Sequence, residues 1–210
     1  ILKNQILEGH VAHAYLFTGT RGTGKTSTAK IFAKALNCDA PIAGEPCGEC
    51  PSCRIAETGG VDIIELDAAS NTGVEDMRAL IDKARFAPLD LRVKVYIIDE
   101  AHMLSKSAFN ALLKTLEEPP AHVVFILATT EPQSIPATIV SRCQRFDFHR
   151  LRVEDIVSCM ESVLKSAGAS IAPEGMVAIA RAAEGGMRDA LSLADQCISF
   201  CGGNVAAEDV

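Results

Sequence analysis

The chain has 210 residues, 48% of them apolar, and a formal charge of −7 at pH 7. That length suits one large or two small domains with a proper core, and the acidic balance excludes a protein that coats nucleic acid by bulk electrostatics, leaving only local contacts. No apolar run approaches the ~20 residues that span a bilayer, and Ile1-Leu2-Lys3-Asn4-Gln5 lacks the charged and apolar segments of a signal peptide, so a cytoplasmic, non-membrane protein is expected. The chain opens without Met and in a helical pattern (Ile1, Leu2, Ile6, Leu7), which reads as a fragment of a longer protein.

In chain order, an apolar strand over Tyr15–Thr18 leads into Gly19-Thr20-Arg21-Gly22-Thr23-Gly24-Lys25-Thr26, and a helix over Thr26–Leu36 leads out, with Ala29, Phe32, Ala33 and Leu36 on one face. The eight residues fill G-x-x-x-x-G-K-[ST]. Glycines let consecutive backbone N–H groups point inward, and the helix adds its positive end, so a phosphate is cradled before any side chain acts. The cradle runs through Ser27; Lys25 is placed to reach the β- and γ-phosphates, and the Thr26 hydroxyl to hold Mg²⁺. A Gly-rich turn that happens to match is the bland alternative.

Next come Cys38, Cys47, Cys50 and Cys53, spaced C-x8-C-x2-C-x2-C within sixteen residues of a Gly/Pro-rich stretch. Four thiolates at this spacing can close a tetrahedron around a structural Zn²⁺ and stabilise a knuckle too small for its own core. Disulfides compete with that reading but fit poorly in a cytosolic chain. Cys143, Cys159, Cys197 and Cys201 are scattered among helices and read as small core residues.

Strands are expected at Ile63–Leu66, Val93–Ile98, Val123–Ala128 and Arg145–Phe148, with a helix over Ser105–Glu118 whose Phe109, Leu112, Leu113 and Leu116 share a face before Pro119-Pro120 stops it. This alternation predicts a five-stranded parallel α/β sheet covered on both faces. From Leu151 only helical patterns follow, at Asp155–Ser166, Pro173–Ala183 and Arg188–Phe200. The expected division is therefore 1–150, an α/β domain carrying the cysteine module, and 151–210, a small all-helical domain.

The strand ending Ile97-Ile98-Asp99-Glu100 puts Asp99 at the carboxyl edge of the sheet, where a carboxylate can hold Mg²⁺ and its water, and Glu100 becomes the candidate for polarising an attacking water. A solvated acidic turn is the plain alternative. His102 reads as structural. A hydroxyl from Thr129 or Thr130, ending another apolar strand, could contact the γ-phosphate or the water, although Thr is common at strand ends.

These motifs resemble one family, the tau/gamma subunit of bacterial DNA polymerase III, the AAA+ P-loop ATPase of the sliding-clamp loader. The likeness rests on the phosphate loop Gly19–Thr26, the inserted four-cysteine module, and Val95–Glu100 followed by Ala101-His102-Met103-Leu104. It also rests on the run Phe109 to Pro120, on Ser141-Arg142-Cys143, and on Gly186-Met187-Arg188-Asp189-Ala190-Leu191. The resemblance implies ATP, Mg²⁺ and structural Zn²⁺ as cofactors. It makes Arg142 an arginine finger acting in trans on a neighbour's ATP, Arg188 a second sensor on the lid helix, and Thr130 the first sensor; read without it, Arg142 is a surface ion-pair partner and Arg188 a helix charge. The implied partners are the other clamp-loader subunits (delta, delta-prime and further tau/gamma copies), the sliding clamp, and primer–template DNA gripped through its backbone, with Ser105 and Lys106 as candidate contacts. Phe86–Leu91 is either a clamp-facing loop or a packed interdomain loop. Relatives of this type are expected to carry about thirty more residues ahead of Ile1, judged from the size of such a fold. Two rivals remain: a different AAA+ motor, of helicase-loading or recombination type, and a non-hydrolysing scaffold subunit, which the intact Lys25, Thr26, Asp99 and Glu100 argue against.

Overall fold

A computed structural model describes residues 1–70, 73–201 and 204–205. The chain divides into two compact units, one of residues 1–18 with 25–147 and one of residues 19–24 with 148–210.

In the first unit, five strands form one sheet in the order β2-β3-β4-β1-β5: β1 Ala14–Gly19, β2 Ile63–Asp67, β3 Lys94–Asp99, β4 Val123–Thr129 and β5 Gln144–Phe148. The β2–β3, β3–β4 and β4–β1 pairs are parallel. Val95–Ile98 and Val123–Ala128 are buried along their whole length, as continuous apolar runs must be when helices cover both faces. Register decides where the polar strand ends gather. Thr18 lies opposite Thr129, and Asp67 opposite Asp99, so the polar residues that end the apolar runs collect at the carboxyl edge.

The helices of this unit are α1 Leu2–Glu8, α2 Lys25–Asn37, α3 Pro51–Glu57, α4 Val74–Ala84, α5 Lys106–Glu117 and the single turn α6 Ala137–Val140. On α2, Ala29, Phe32, Ala33 and Leu36 are buried, and the Phe32 ring meets Tyr15 of β1 edge-on at 4.9 Å. On α5, Ser105 caps the first turn by accepting the Ala108 N–H, while Phe109, Leu112 and Leu116 are buried. Three helices were not expected from the sequence: α3, α4 and the single turn α6. α4 buries Met77, Leu80 and Ala84 at helical spacing within a charged stretch, and α3 lies inside the cysteine module, started by Pro51 at its first position.

The second unit packs α7 Val153–Ala167, α8 Pro173–Ala182 and α9 Met187–Cys201 around Ile156, Met160, Met176, Ile179, Ala190 and Ala194. The structure adds a strand pair that no helical pattern could announce: β6 Ser170–Ile171 runs parallel to β7 Asn204–Val205. Pairs of two residues are too short to leave an alternating signature. Among the described residues, no helix is long and apolar enough to cross a membrane.

Candidate functional site

The phosphate loop, residues 19–24, groups with the second unit. Gly22 has φ +77°, its carbonyl accepts the Met187 N–H at 2.9 Å, and a Cβ there would stand 3.1 Å from the Cα of Gly186. Only glycine combines that left-handed backbone with so close an approach. Gly24, at φ +90°, meets nothing within 4 Å and is required by conformation alone. Thr23 closes the loop by donating its hydroxyl to the Thr20 carbonyl at 2.8 Å. The loop is thereby seated against the turn that begins α9, and the backbone N of Arg188 lies 3.6 Å from that same Cβ position on Gly22. Thr20, Arg21 and Ser27 are exposed, and Gly19 ends β1.

In the first unit, α2 begins with Lys25, which is buried, and Thr26, whose hydroxyl donates to Asp99 Oδ2 at 2.7 Å. The other Asp99 oxygen accepts the Glu100 N–H at 2.9 Å. That bond accompanies an abrupt turn: Glu100 adopts φ 47° and ψ 43°, a left-handed conformation uncommon outside glycine, and a 3₁₀ turn over Ala101–Met103 follows. The Thr130 hydroxyl donates to Glu100 Oε2 at 3.3 Å, and His102 Nδ1 stands 3.1 Å from Thr129 Oγ1. Thr129 is fully buried and also accepts the Glu131 N–H. The two threonines at the end of β4 therefore differ: Thr130 reaches the carboxylate, whereas Thr129 is held within the fold.

Arg142 does not join this cluster. It follows α6, and its guanidinium donates to Glu117 at 2.6 Å and to the Thr138 carbonyl at 2.7 Å. Glu117 could not be foreseen as its partner, because twenty-five residues separate them.

The cysteine module folds into a four-sulfur cluster. The Sγ atoms of Cys38, Cys47, Cys50 and Cys53 all lie within 4.8 Å of one another, with Cys38–Cys47 at 3.5 Å and Cys38–Cys50 and Cys47–Cys53 at 4.0 Å. Four thiolates bound at ~2.3 Å around one tetrahedral ion stand about 3.8 Å apart, so the residues fit a closed metal site rather than two disulfides. Backbone donors complete it: Cys47 N–H points at Cys38 Sγ and Cys53 N–H at Cys50 Sγ, both at 3.3 Å. Backbone N–H groups of Glu49 and Cys50 lower the Cys47 thiol to about 6, while burial raises Cys53 to about 12. Arg92 ties the module to the unit through the Cys38 carbonyl at 2.6 Å. Of the other cysteines, Cys143 is raised to about 12 by burial and packs against the sheet core.

The Phe86–Leu91 loop presents Phe86 and Leu89, 71% and 79% exposed. What holds it is a set of buried or half-buried polar side chains that sequence reasoning missed. The Asp62 carboxylate accepts the N–H groups of Leu89, Asp90 and Leu91, while Lys94 and His122 both reach the Phe86 carbonyl. Ser105 spends its hydroxyl on the α5 cap, and Lys106 is exposed.

The chain resembles known proteins along its length. A family model described as DNA polymerase III, delta subunit, matches residues 1–152, and one described as the DNA polymerase III clamp loader subunit, ATPase lid domain, matches residues 155–203. The chain is similar to DNA polymerase III subunit tau of Bacillus subtilis, 56% identical over 99% of this chain and 37% of that protein. It is also similar to subunit tau of Escherichia coli, 53% identical over 100% and 33%. It thus spans about a third of the length of these relatives. Among solved structures, a DNA polymerase III gamma subunit-related protein from Thermotoga maritima matches with a TM-score of 0.57 at 25% identity, over 74% of this chain and 47% of that one. The RuvB Holliday junction branch migration motor of the same organism matches at 0.69 and 18% identity, over 99% and 63%, which shows a shared AAA+ P-loop fold.

Proposed function

Because the chain belongs to the DNA polymerase III clamp-loader subunit family of tau/gamma type, we propose that it is the ATP-hydrolysing part of such a subunit, using ATP to help place a sliding clamp on primed DNA. The observation that carries the reading is the chain Thr26–Asp99–Glu100–Thr130 at the carboxyl ends of β3 and β4. A hydroxyl and a carboxylate 2.7 Å apart are the pair that would hold Mg²⁺, and a second carboxylate follows one residue on. Magnesium, when bound, supplies charge neutralisation at the β- and γ-phosphate oxygens.

The chain's own residues then divide the work. Gly19–Gly24 offer N–H groups to the phosphates, Lys25 places a positive charge against them, and Arg188, on the turn that seats the loop, adds a second. Glu100 orients and deprotonates the attacking water, with Thr130 on its carboxylate. Arg142 acts in trans on the ATP of an adjoining subunit, exchanging Glu117 for the γ-phosphate, so that one chain alone hydrolyses poorly. The partners in this reading are delta, delta-prime and further tau/gamma copies, the sliding clamp, and primer–template DNA held by its backbone. Phe86 and Leu89 form the clamp-facing loop, and the four cysteines hold one structural Zn²⁺. The division into a nucleotide-binding part, 1–150, and a lid, 151–210, is supported by where the two family matches meet.

The test is steady-state ATP hydrolysis by the full-length protein, alone and with clamp-loader partners, clamp and primed DNA. Stimulation only by the complete mixture, lost in Lys25→Ala and Arg142→Ala, is expected. Hydrolysis indifferent to the clamp and to Arg142 points to another kind of AAA+ motor.

A further inference from the structure

We propose that His102 is a positioning residue for Glu100, holding its carboxylate through an Nδ1–H shared between Glu100 Oε2 and Thr129 Oγ1. This role rests on the reading of Glu100 as the group that activates water. The backbone brings the two side chains together. The left-handed conformation of Glu100 and the 3₁₀ turn after it, closed by the Met103 N–H on the Glu100 carbonyl at 2.8 Å, fold His102 back over the end of β4. There the His102 side chain is 13% exposed, and Nδ1 lies 3.1 Å from Thr129 Oγ1 and 3.5 Å from Glu100 Oε2.

Donor and acceptor accounting selects the tautomer. The Thr129 oxygen already accepts the Glu131 N–H at 3.0 Å and has one lone pair left, and an ionised carboxylate only accepts. With a proton on Nδ1, His102 donates to both oxygens. Without one, the Thr129 hydroxyl would donate to the ring instead, but a ring lone pair would face the Glu100 carboxylate, and two acceptors repel, so the carboxylate contact decides. Thr130 donates to the same Oε2 at 3.3 Å. Each contact to the carboxylate is long, so neither fixes it alone. Together they engage one oxygen from two directions and turn Oε1 toward the place where a water proton is taken.

The side-chain amide of Asn can copy the Nδ1 edge of imidazole, whereas that of Gln copies the Nε2 edge. In the full-length protein within its assembled complex, His102→Leu and His102→Gln are expected to lower kcat about 10-fold while leaving ATP affinity unchanged, as loss of an orienting partner does. His102→Asn should restore kcat to within about 3-fold of the parent, the loss of one weak hydrogen bond. Fluorescent-ATP titration and thermal melting accompany each variant. The idea is overturned by unchanged kcat in His102→Leu, by a rise in kcat, by His102→Asn as slow as His102→Leu, or by a kcat loss that tracks melting temperature and affinity. A parent complex whose hydrolysis survives Glu100→Gln sinks the functional reading itself, which separates the two failures.

Discussion

Glu100 concentrates most of the proposed chemistry into one side chain, and its environment explains how a single carboxylate can be aimed. Its backbone is strained, its amide is fixed by Asp99, and its carboxylate meets Thr130 and His102. Glu100→Gln is therefore expected to cut kcat by on the order of 10²–10⁴, the usual contribution of a positioned general base, with ATP binding retained; single-turnover hydrolysis beside a binding titration checks this. Gly22 is the other sensitive residue. A methyl group there meets Gly186 at 3.1 Å on a backbone at φ +77°. Gly22→Ala should cost ~1 kcal/mol or more in stability, read as a lower melting temperature. The positive-φ glycines and the meeting of Thr26 with Asp99 were legible, because the loop pattern demands those glycines and an acid ending the apolar strand falls at the same edge of the sheet. His102 was not. Whether a histidine packs or holds a carboxylate depends on which groups the fold brings to its Nδ1, and Thr129 is twenty-seven residues away.

Two loops show how an element is stabilised when it cannot supply its own core. In the cysteine module four sulfurs converge within 4.8 Å and α3 contributes little beyond Cys53 to the buried surface. One zinc per chain is expected by metal analysis, and Cys53→Ser should abolish it and lower the melting temperature. In the Phe86–Leu91 loop, Asp62 does the equivalent work with three backbone N–H bonds. Burial pushes its carboxyl up, but those bonds and the Lys94 charge outweigh it, so the group ends below the ordinary carboxylate range. A carboxylate with a lowered folded value contributes stability above its unfolded value of about 3.9, lost as pH falls through the lower folded one. Asp62→Asn should thus cost about 1–3 kcal/mol at pH 7: an amide oxygen placed where Oδ2 stands still accepts the three N–H groups, but the bonds lose their charge and the attraction to Lys94 is gone. That deficit should shrink below about pH 4, where the parent carboxyl also begins to lose its charge, a crossover that denaturant unfolding at several pH values detects. The cysteine spacing announced the first loop. The apolar run Phe86–Leu91 marked the second as a loop, but nothing announced Asp62 as its anchor, because an isolated Asp before a strand carries no pattern.

At the scale of the whole molecule, the proposed activity turns on whether Arg142 serves its own chain or a neighbour. It is engaged by Glu117 and Thr138, away from Asp99 and Glu100. Mixing Arg142→Ala subunits with Glu100→Gln subunits in one assembled complex should restore part of the activity that either variant alone lacks. Only adjoining subunits can combine an intact finger with an intact carboxylate. By itself, the sequence determined the alternation of strand and helix, the phosphate loop, the acidic strand end and the cysteine spacing, because each is a local pattern enforced by backbone geometry or ligand number. It left α4 unannounced amid charged residues, and β6–β7 beneath any periodicity. Tertiary structure alone decided which hydroxyl of Thr129 and Thr130 reaches Glu100, what Asp62 and Glu117 hold, and where His102 points. Those partners lie roughly 25 to 30 residues apart along the chain and meet only because parallel strands bring like ends, carboxyl for Glu100 and amino for Asp62, and the loops between them, to common places.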